Sequence, residues 1–215
     1  MELVSLKAKN HREDGAVIAE FKDGSLISFS TDYLSNTTDF SLWAEGKELS
    51  PIELDSLRFA AACYKAEKLA LRLIARAEQS SLALTAKLEK RGIEAAVVRA
   101  VISRLTNKEL LNDTRYAELW IRSRLGNYHG KRPGSKSKAL TPIRLLASLW
   151  KRGIDKTSSS SAINRALDGE TEYALLLKYL EETGALEGKR ISFLRTRLKH
   201  EGFSLEIIEK YFETI

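Results

Sequence analysis

Residues 88–93 read Leu88-Glu89-Lys90-Arg91-Gly92-Ile93, with leucine first, glycine fifth and a large apolar residue sixth. The same pattern returns as Leu149-Trp150-Lys151-Arg152-Gly153-Ile154 and as Leu198-Lys199-His200-Glu201-Gly202-Phe203. A glycine just past a helix adopts the left-handed conformation, and the next apolar side chain folds back onto the helix. The three copies therefore predict three equivalent helix ends, and a repeated unit of this kind predicts a repeat architecture.

The composition around these glycines favours helices. The 215 residues include only three prolines and 12 glycines, and Ala, Leu, Lys, Glu and Arg are abundant. Apolar residues recur at helical spacing before and after each glycine, which indicates three helices per repeat. We expect a mainly α fold with helical repeat one at 51–110, repeat two at 111–168 and repeat three at 169–215.

Residues 1–50 read instead as a small β-rich leader. Two apolar stretches flank Asp23-Gly24, which is a strong signal for a two-residue β-hairpin turn. Such a turn would pair Phe21 with Leu26 and Ile18 with Phe29. Alternation near the start of the chain allows a third strand. The leader ends at Ser50-Pro51-Ile52-Glu53, a capping box that announces the first helix.

Charge is distributed unevenly along the chain. The net charge is +6, but residues 1–63 hold six Lys/Arg against eleven Asp/Glu, a net of −5. Residues 64–215 hold the other 29 Lys/Arg against 18 Asp/Glu, a net of +11. A basic helical body suits nucleic acid or an acidic protein surface as its partner. The alternative is that Lys and Arg serve only as solvated helix formers.

A long basic loop is predicted within repeat two, at residues 126–139. It has three glycines, four Lys/Arg, one His and no acidic residue, so it suits phosphate contact. The alternative is a tolerated surface insertion. The candidate contacts with a partner or nucleic acid are basic residues of this loop and of the second helix of each repeat: Lys87, Arg91, Lys131, Arg132, Lys136, Lys138, Arg144, Lys151, Arg152, Arg195, Arg197 and Lys199.

We expect no catalytic, cofactor-binding or metal site. The three histidines, His11, His129 and His200, stand apart from Cys and carboxylates at metal-ligand spacing. We find neither a glycine-rich phosphate loop nor a Gly-x-Ser-x-Gly nucleophile motif in the sequence. A small hydrolase with a cryptic site is the least favoured alternative.

The single cysteine, Cys63, lies in an Ala-rich helical stretch, and we interpret it as a core residue. One cysteine suits a reducing compartment. The first residues lack the apolar run of a signal peptide, and no segment is long enough to span a membrane. We therefore expect a cytoplasmic protein, most simply a monomer.

Residues 111–124 read Leu111-Asn112-Asp113-Thr114-Arg115-Tyr116-Ala117-Glu118-Leu119-Trp120-Ile121-Arg122-Ser123-Arg124. This stretch resembles the signature of the RecX regulators of the bacterial RecA recombinase, in which leucine, aspartate, an aromatic residue and alanine precede tryptophan and arginine. Residues 70–92 resemble the opening repeat of that family, and residues 194–208 its closing repeat. The second repeat departs from the family pattern, because its helices are joined by a long basic link.

The resemblance implies a curved array of helix-turn-helix-like repeats. It also implies a regulator that binds the RecA–single-stranded-DNA filament and limits its growth, ATP hydrolysis and strand exchange in DNA repair, recombination and the SOS response. The implied partners are the recombinase filament and single-stranded DNA, contacted directly or through the filament. The alternative function is a stand-alone DNA- or RNA-binding protein that uses the same repeats.

Overall fold

The computed structural model describes residues 1–8, 16–35, 38–129, 139–184 and 191–214. The chain divides into two compact units, Met1–Leu111 (unit 1) and Asn112–Ile215 (unit 2). In the described part of the chain, unit 1 contains a small sheet and three α-helices, and unit 2 contains six α-helices. The predicted mainly α fold with a small β region at its start is confirmed.

The leader forms a three-stranded antiparallel sheet in the order β1-β2-β3. The strands are β1 (Leu3–Ala8), β2 (Ala16–Phe21) and β3 (Leu26–Ser30). Two short 3-10 turns follow, at Thr31–Tyr33 and Phe40–Leu42. The third strand, allowed by the sequence, therefore joins the predicted hairpin.

The predicted hairpin register is wrong by one residue. The Phe21 amide donates to the Ser25 carbonyl at 3.0 Å, so the loop has three residues and ends at Gly24 with φ +81°. Phe29 therefore pairs with Val17 and not with Ile18. A one-residue slip would turn one phenylalanine away from the core, whereas this register buries both Phe21 and Phe29.

The described residues form nine α-helices. Unit 1 has α1 (Pro51–Ile74), α2 (Ser81–Glu89) and α3 (Ala95–Asn107). Unit 2 has α4 (Asp113–His129), α5 (Pro142–Trp150), α6 (Lys156–Ala166), α7 (Gly169–Thr183), α8 (Ile191–His200) and α9 (Leu205–Glu213).

The start of α1 is fixed by the predicted capping box. The Ser50 hydroxyl accepts the Glu53 amide, while the Glu53 carboxylate accepts the Ser50 amide at 2.9 Å. Lys47 also donates its Nζ to that carboxylate at 2.6 Å. These donors, the lysine first, lower the pKa of Glu53 to about 2.

The start of α4 is fixed by Asn112, and its end differs from the sequence expectation. The Asn112 side chain accepts the Arg115 amide at 2.9 Å, and Asp113 is the first residue of the helix. The predicted loop 126–139 was placed too early at its start, since α4 continues to His129, and residues 130–138 lie outside the described part of the chain. Tyr128 explains the extension, because it is buried and donates its hydroxyl to Glu182 of α7 at 2.7 Å.

The glycine in each of the three copies of the repeated pattern ends its helix in the left-handed conformation. Gly92, Gly153 and Gly202 have φ values of +77°, +76° and +87°. In each copy the residue after the glycine donates its amide to the carbonyl of the leucine five positions earlier, at 3.2–3.4 Å. Ile154 and Phe203 are buried and Ile93 is partly buried, each in the cluster that contains its leucine. These are Schellman motifs, as predicted.

Each unit has one continuous core. In unit 1 the inner face of the sheet, including Leu3, Phe21 and Phe29, is buried in the same cluster as Leu57 and Cys63 of α1. The leader therefore packs onto the first helices. Burial raises the pKa of the Cys63 thiol to about 12, which agrees with its predicted place in the core. In unit 2, residues from α4 through α9 share a single cluster.

A partly buried ion network joins the leader to the helices of unit 1. Arg104 of α3 donates its Nε to Glu67 of α1 at 3.2 Å and pairs with Asp32 of the leader. The side chains of Arg104 and Glu67 are only 17% and 12% exposed. The Arg104 guanidinium also lies 5.1 Å from the ring centroid of Tyr33. Since removing one partner of such a pair leaves a desolvated charge, this network fixes the leader in place.

We expect Arg104→Leu to lower the free energy of unfolding of unit 1 by about 2–3 kcal/mol, because Glu67 would lose its partner. Arg99→Leu on the exposed side of the same helix is the control, with an expected change within about 0.5 kcal/mol. Urea titration of the full chain measures both. Equal effects of the two substitutions would contradict the role of the network.

In unit 2 the third glycine turn packs against the start of α5. The Glu201 carbonyl accepts the Ile143 amide at 3.1 Å, and the Glu201 carboxylate accepts the Thr141 hydroxyl at 2.9 Å. A carboxylate at a helix N-terminus is favourable because of the helix dipole. This contact accounts for a glutamate where the other two copies have Arg91 and Arg152.

Gly202→Ala should destabilise unit 2 by about 2 kcal/mol or more, because an L-residue is strained at positive φ. The added Cβ would also lie 3.2 Å from the backbone nitrogen of Ile143. Gly126→Ala is the control within unit 2, since it lies in α4 with nothing within 4 Å of an added Cβ. We expect that change to stabilise by about 0.5–1 kcal/mol. Urea unfolding that gives both substitutions the same sign would refute this account.

Candidate functional site

The positive charge of the protein is concentrated in unit 2. Unit 1 has 16 Lys/Arg and 16 Asp/Glu, whereas residues 112–215 have 19 Lys/Arg and 13 Asp/Glu. The whole net charge of +6 therefore belongs to unit 2. A polyanionic partner would be attracted to unit 2 before unit 1.

The predicted contacts of unit 1 lie at the end of α2 and are used within the protein. Lys87 donates its Nζ to the side-chain oxygen of the buried Gln79. Arg91 donates Nη1 to the Lys87 carbonyl at 2.8 Å. Cations at this position satisfy carbonyls of the last turn and favour the helix dipole. Both side chains remain exposed enough to meet a partner.

The three predicted contacts on and after α5 differ in their surroundings. Arg144 folds back and donates Nη1 to the Ala139 carbonyl. Arg152 donates Nη1 to the Ser148 carbonyl at 2.7 Å, which holds its stem along the helix. Lys151 is exposed to solvent.

The three predicted contacts on α8 also differ in their surroundings. Arg195 makes a two-armed ion pair with Glu209 of α9, with both contacts at 2.9 Å, so its charge is balanced internally. Arg197 donates Nε to the Tyr179 hydroxyl at 2.9 Å, and Lys199 is exposed. The four remaining candidates lie outside the described residues: Lys131, Arg132, Lys136 and Lys138.

The structure brings together a cluster that the sequence did not single out. Arg124 of α4 and Arg152 after α5 both stack on the indole of Trp120, with guanidinium carbons 5.1 Å and 4.4 Å from the ring centroid. Arg152 is among the contacts predicted from the sequence, whereas Arg124 is not. The four-residue spacing of Trp120 and Arg124 puts them on one helix face, which was the available signal.

The outer face of α5 is a second feature that the sequence did not reveal. Leu145 and Leu149 are buried, while Ile143 and Trp150 on the other side are 45% and 52% exposed. Ala147 lies exposed between them, at the helical spacing of one stripe. Tryptophan is enriched at protein interfaces, so the exposed Trp150 makes this face a candidate contact surface.

Among the described residues, no group of three His, Cys, Asp or Glu side chains is arranged to hold a metal ion. No α-helix in that part of the chain combines the length and apolar character needed to cross a membrane.

The family model, the sequence relatives and the solved structures that are similar to this chain are all RecX proteins. The family model for the first three-helix domain of RecX matches residues 66–105, from the last third of α1 to the last turn of α3. The regulatory protein RecX of Treponema pallidum (strain Nichols) is 37% identical over 124 residues, which is 58% of this chain and 70% of that protein. The regulatory protein RecX of Xanthomonas citri is 30% identical over 148 residues, or 66% of this chain and 84% of that protein.

Two solved structures share the fold. A crystal structure of regulatory protein RecX superposes with a TM-score of 0.60 at 18% identity and covers 97% of each chain. The crystal structure of RecX from Lactobacillus salivarius has a TM-score of 0.50 at 21% identity and covers 72% of this chain and 97% of that one. Because these sequence relatives are RecX proteins and the fold agrees, the chain belongs to the RecX family of regulatory proteins.

Proposed function

We propose that this protein binds the filament that a RecA-type recombinase forms on single-stranded DNA and inhibits its growth, ATP hydrolysis and strand exchange. The observation that carries the proposal is the sequence identity to RecX proteins across both units. On this proposal the protein acts as a cytoplasmic monomer, in DNA repair, recombination and the SOS response. Its helices act as three repeats, at 51–110, 111–168 and 169–215.

The charge of unit 2 supports the proposal. A recombinase–DNA filament presents phosphates and acidic protein surface, and the net +6 of unit 2 complements either. Among the candidate contacts in the described part of unit 2, we favour Lys151 and Lys199, which are exposed. Arg195 is less suited, because Glu209 already balances its charge.

The outer face of α5 supports a protein contact in the same complex. Buried tryptophans dominate the binding energy of many interfaces, and Trp150 is half-exposed in the free protein. We propose that a recombinase protomer covers Ile143, Ala147 and Trp150, while flanking lysines meet acidic or phosphate groups.

The inhibition itself is directly measurable. The purified protein, added below the molar amount of recombinase, should slow ATP hydrolysis on single-stranded DNA, because a regulator of filament growth acts on many protomers at once. Steady-state phosphate release measures the effect. Unchanged hydrolysis at an equimolar ratio would reject the proposal. Tight binding to naked nucleic acid in that case would favour the stand-alone binding protein.

Trp150→Ala should raise the protein concentration needed for half-maximal inhibition by about 30-fold, the loss of one strong interface anchor of about 2 kcal/mol. Thermal stability should stay the same, since the side chain is half-exposed. Leu205→Ala, a 60% exposed position on α9, is the control and should inhibit normally. Equal inhibition by the two variants would place the protein contact elsewhere.

A further inference from the structure

We propose that one face of α1 binds the phosphodiester backbone of a bare single-stranded nucleic acid. This face, which we name the α1 stripe, consists of Lys65, Lys68 and Arg72 on the helix and Arg76 in the turn that follows it. The contact goes beyond the proposed function, because it lies in unit 1 and needs no recombinase.

The zero net charge of unit 1 is the balance of two oppositely charged segments. Residues 1–63 carry a net charge of −5, with six Lys/Arg against eleven Asp/Glu. Since unit 1 has 16 residues of each class, residues 64–111 hold the other ten Lys/Arg and five Asp/Glu, a net of +5. Four of these ten cations form the α1 stripe. A polyanion that approaches unit 1 is therefore attracted to this part of it.

The α1 stripe is a single row along the helix. Successive residues of an α-helix are about 100° apart, so Lys65, Lys68 and Arg72 lie within about 60° of one another around its axis. Lys65 and Arg72 are separated by about 10 Å along the row. The Arg76 amide donates to the Leu73 carbonyl at 3.3 Å, so a tight turn continues the row past the end of α1. All four cationic side chains are exposed.

Within the described part of the chain, no carboxylate pairs with a cation of the α1 stripe. Glu67 is the single acidic residue between positions 56 and 77. It follows Lys65 by two residues, which places it on the opposite side of α1, where it pairs with Arg104 at 3.2 Å. Arg58 is not counted in the stripe, because Asp55 lies 3.7 Å from it. The positive charge of the stripe is therefore not compensated by its surroundings.

The donors of the α1 stripe are suited to phosphate oxygens. The Lys68 Nζ lies 4.5 Å from the ring centroid of Tyr64, which holds the ammonium in place without neutralising its charge. Arg72 donates Nε to the Lys68 carbonyl at 3.3 Å, and its two Nη groups have no further partner among the described residues. Ammonium and guanidinium groups form strong, charge-assisted hydrogen bonds with phosphate.

The arrangement fits a single strand better than a duplex. A helix that enters the major groove of B-DNA, which is about 12 Å wide, meets a phosphate backbone on each flank. The α1 stripe has its cations on one narrow face, and the opposite side of α1 contacts α3 through Glu67 and Arg104. A flexible strand can follow a single row of cations, as in proteins that bind single strands without sequence preference.

The test is the salt dependence of binding to a fluorescein-labelled single-stranded oligothymidylate, measured by anisotropy with the full chain. Lys65→Gln combined with Arg72→Gln removes two charges of the stripe and keeps good helix formers. We expect the slope of log K against log salt to fall in magnitude by about 1.4, because each phosphate contact on a single strand contributes about 0.7. Taken from 1 M to 0.1 M salt, this corresponds to about 25-fold weaker binding.

Arg99→Gln combined with Lys108→Gln is the matched control. Both residues are exposed cations of unit 1, but they lie on α3 and just after it. The control removes the same charge and should leave the slope unchanged. Lys65→Arg combined with Arg72→Lys keeps both charges of the stripe and should also keep the slope. Urea unfolding checks that each variant is folded.

An unchanged slope for the stripe variant would overturn the proposal, as would an equal loss for the α3 control or no binding of the unchanged protein at low salt. A slope that falls with a blunt duplex but not with the single strand would identify duplex DNA as the ligand instead. Weaker recombinase inhibition without any change in strand affinity would mean that the stripe meets an acidic protein surface. Normal recombinase inhibition by the stripe variant leaves the proposed function intact, whatever its strand affinity.

Discussion

The left-handed glycine that ends α2, α5 and α8 is the constraint on which the rest of the structure depends. In each copy the turn reverses the chain within two residues and returns an apolar side chain to the core, with φ between +76° and +87° at the glycine. Only glycine adopts this conformation without strain. The same turn places Arg152 over Trp120 and brings Glu201 to the start of α5. A helix stop thus also positions the charged groups beside it.

Local signals in the sequence were sufficient for most of the helical architecture. The Schellman turns, the capping box at Ser50 and the caps at Ser80, Asp155 and Ser204 are each determined by residues within one turn of the helix end. The strand register was predicted wrongly, because it depends on which face of the sheet meets α1. The end of α4 was predicted too early for a similar reason, since Tyr128 is held by Glu182 from a helix more than 50 residues away.

The candidate site was less predictable than the fold. Sequence identifies cations on helices, but their availability depends on partners distant in the chain, such as Glu209 for Arg195 and Tyr179 for Arg197. The stacking of Arg152 on Trp120 likewise joins two helices that the sequence separates by a long basic segment. Because some cations of unit 2 are already paired within the unit, fewer of its basic groups can bind a polyanion than the sequence suggests.

The central claim is that unit 2 is the part of the protein that contacts the recombinase–DNA filament. Amide hydrogen exchange of the full chain, with and without the filament assembled on single-stranded DNA, tests this most directly. The account predicts slower exchange in residues 147–154, while the strands of the leader exchange as in the free protein. Slower exchange confined to unit 1, with α5 unchanged, would contradict it.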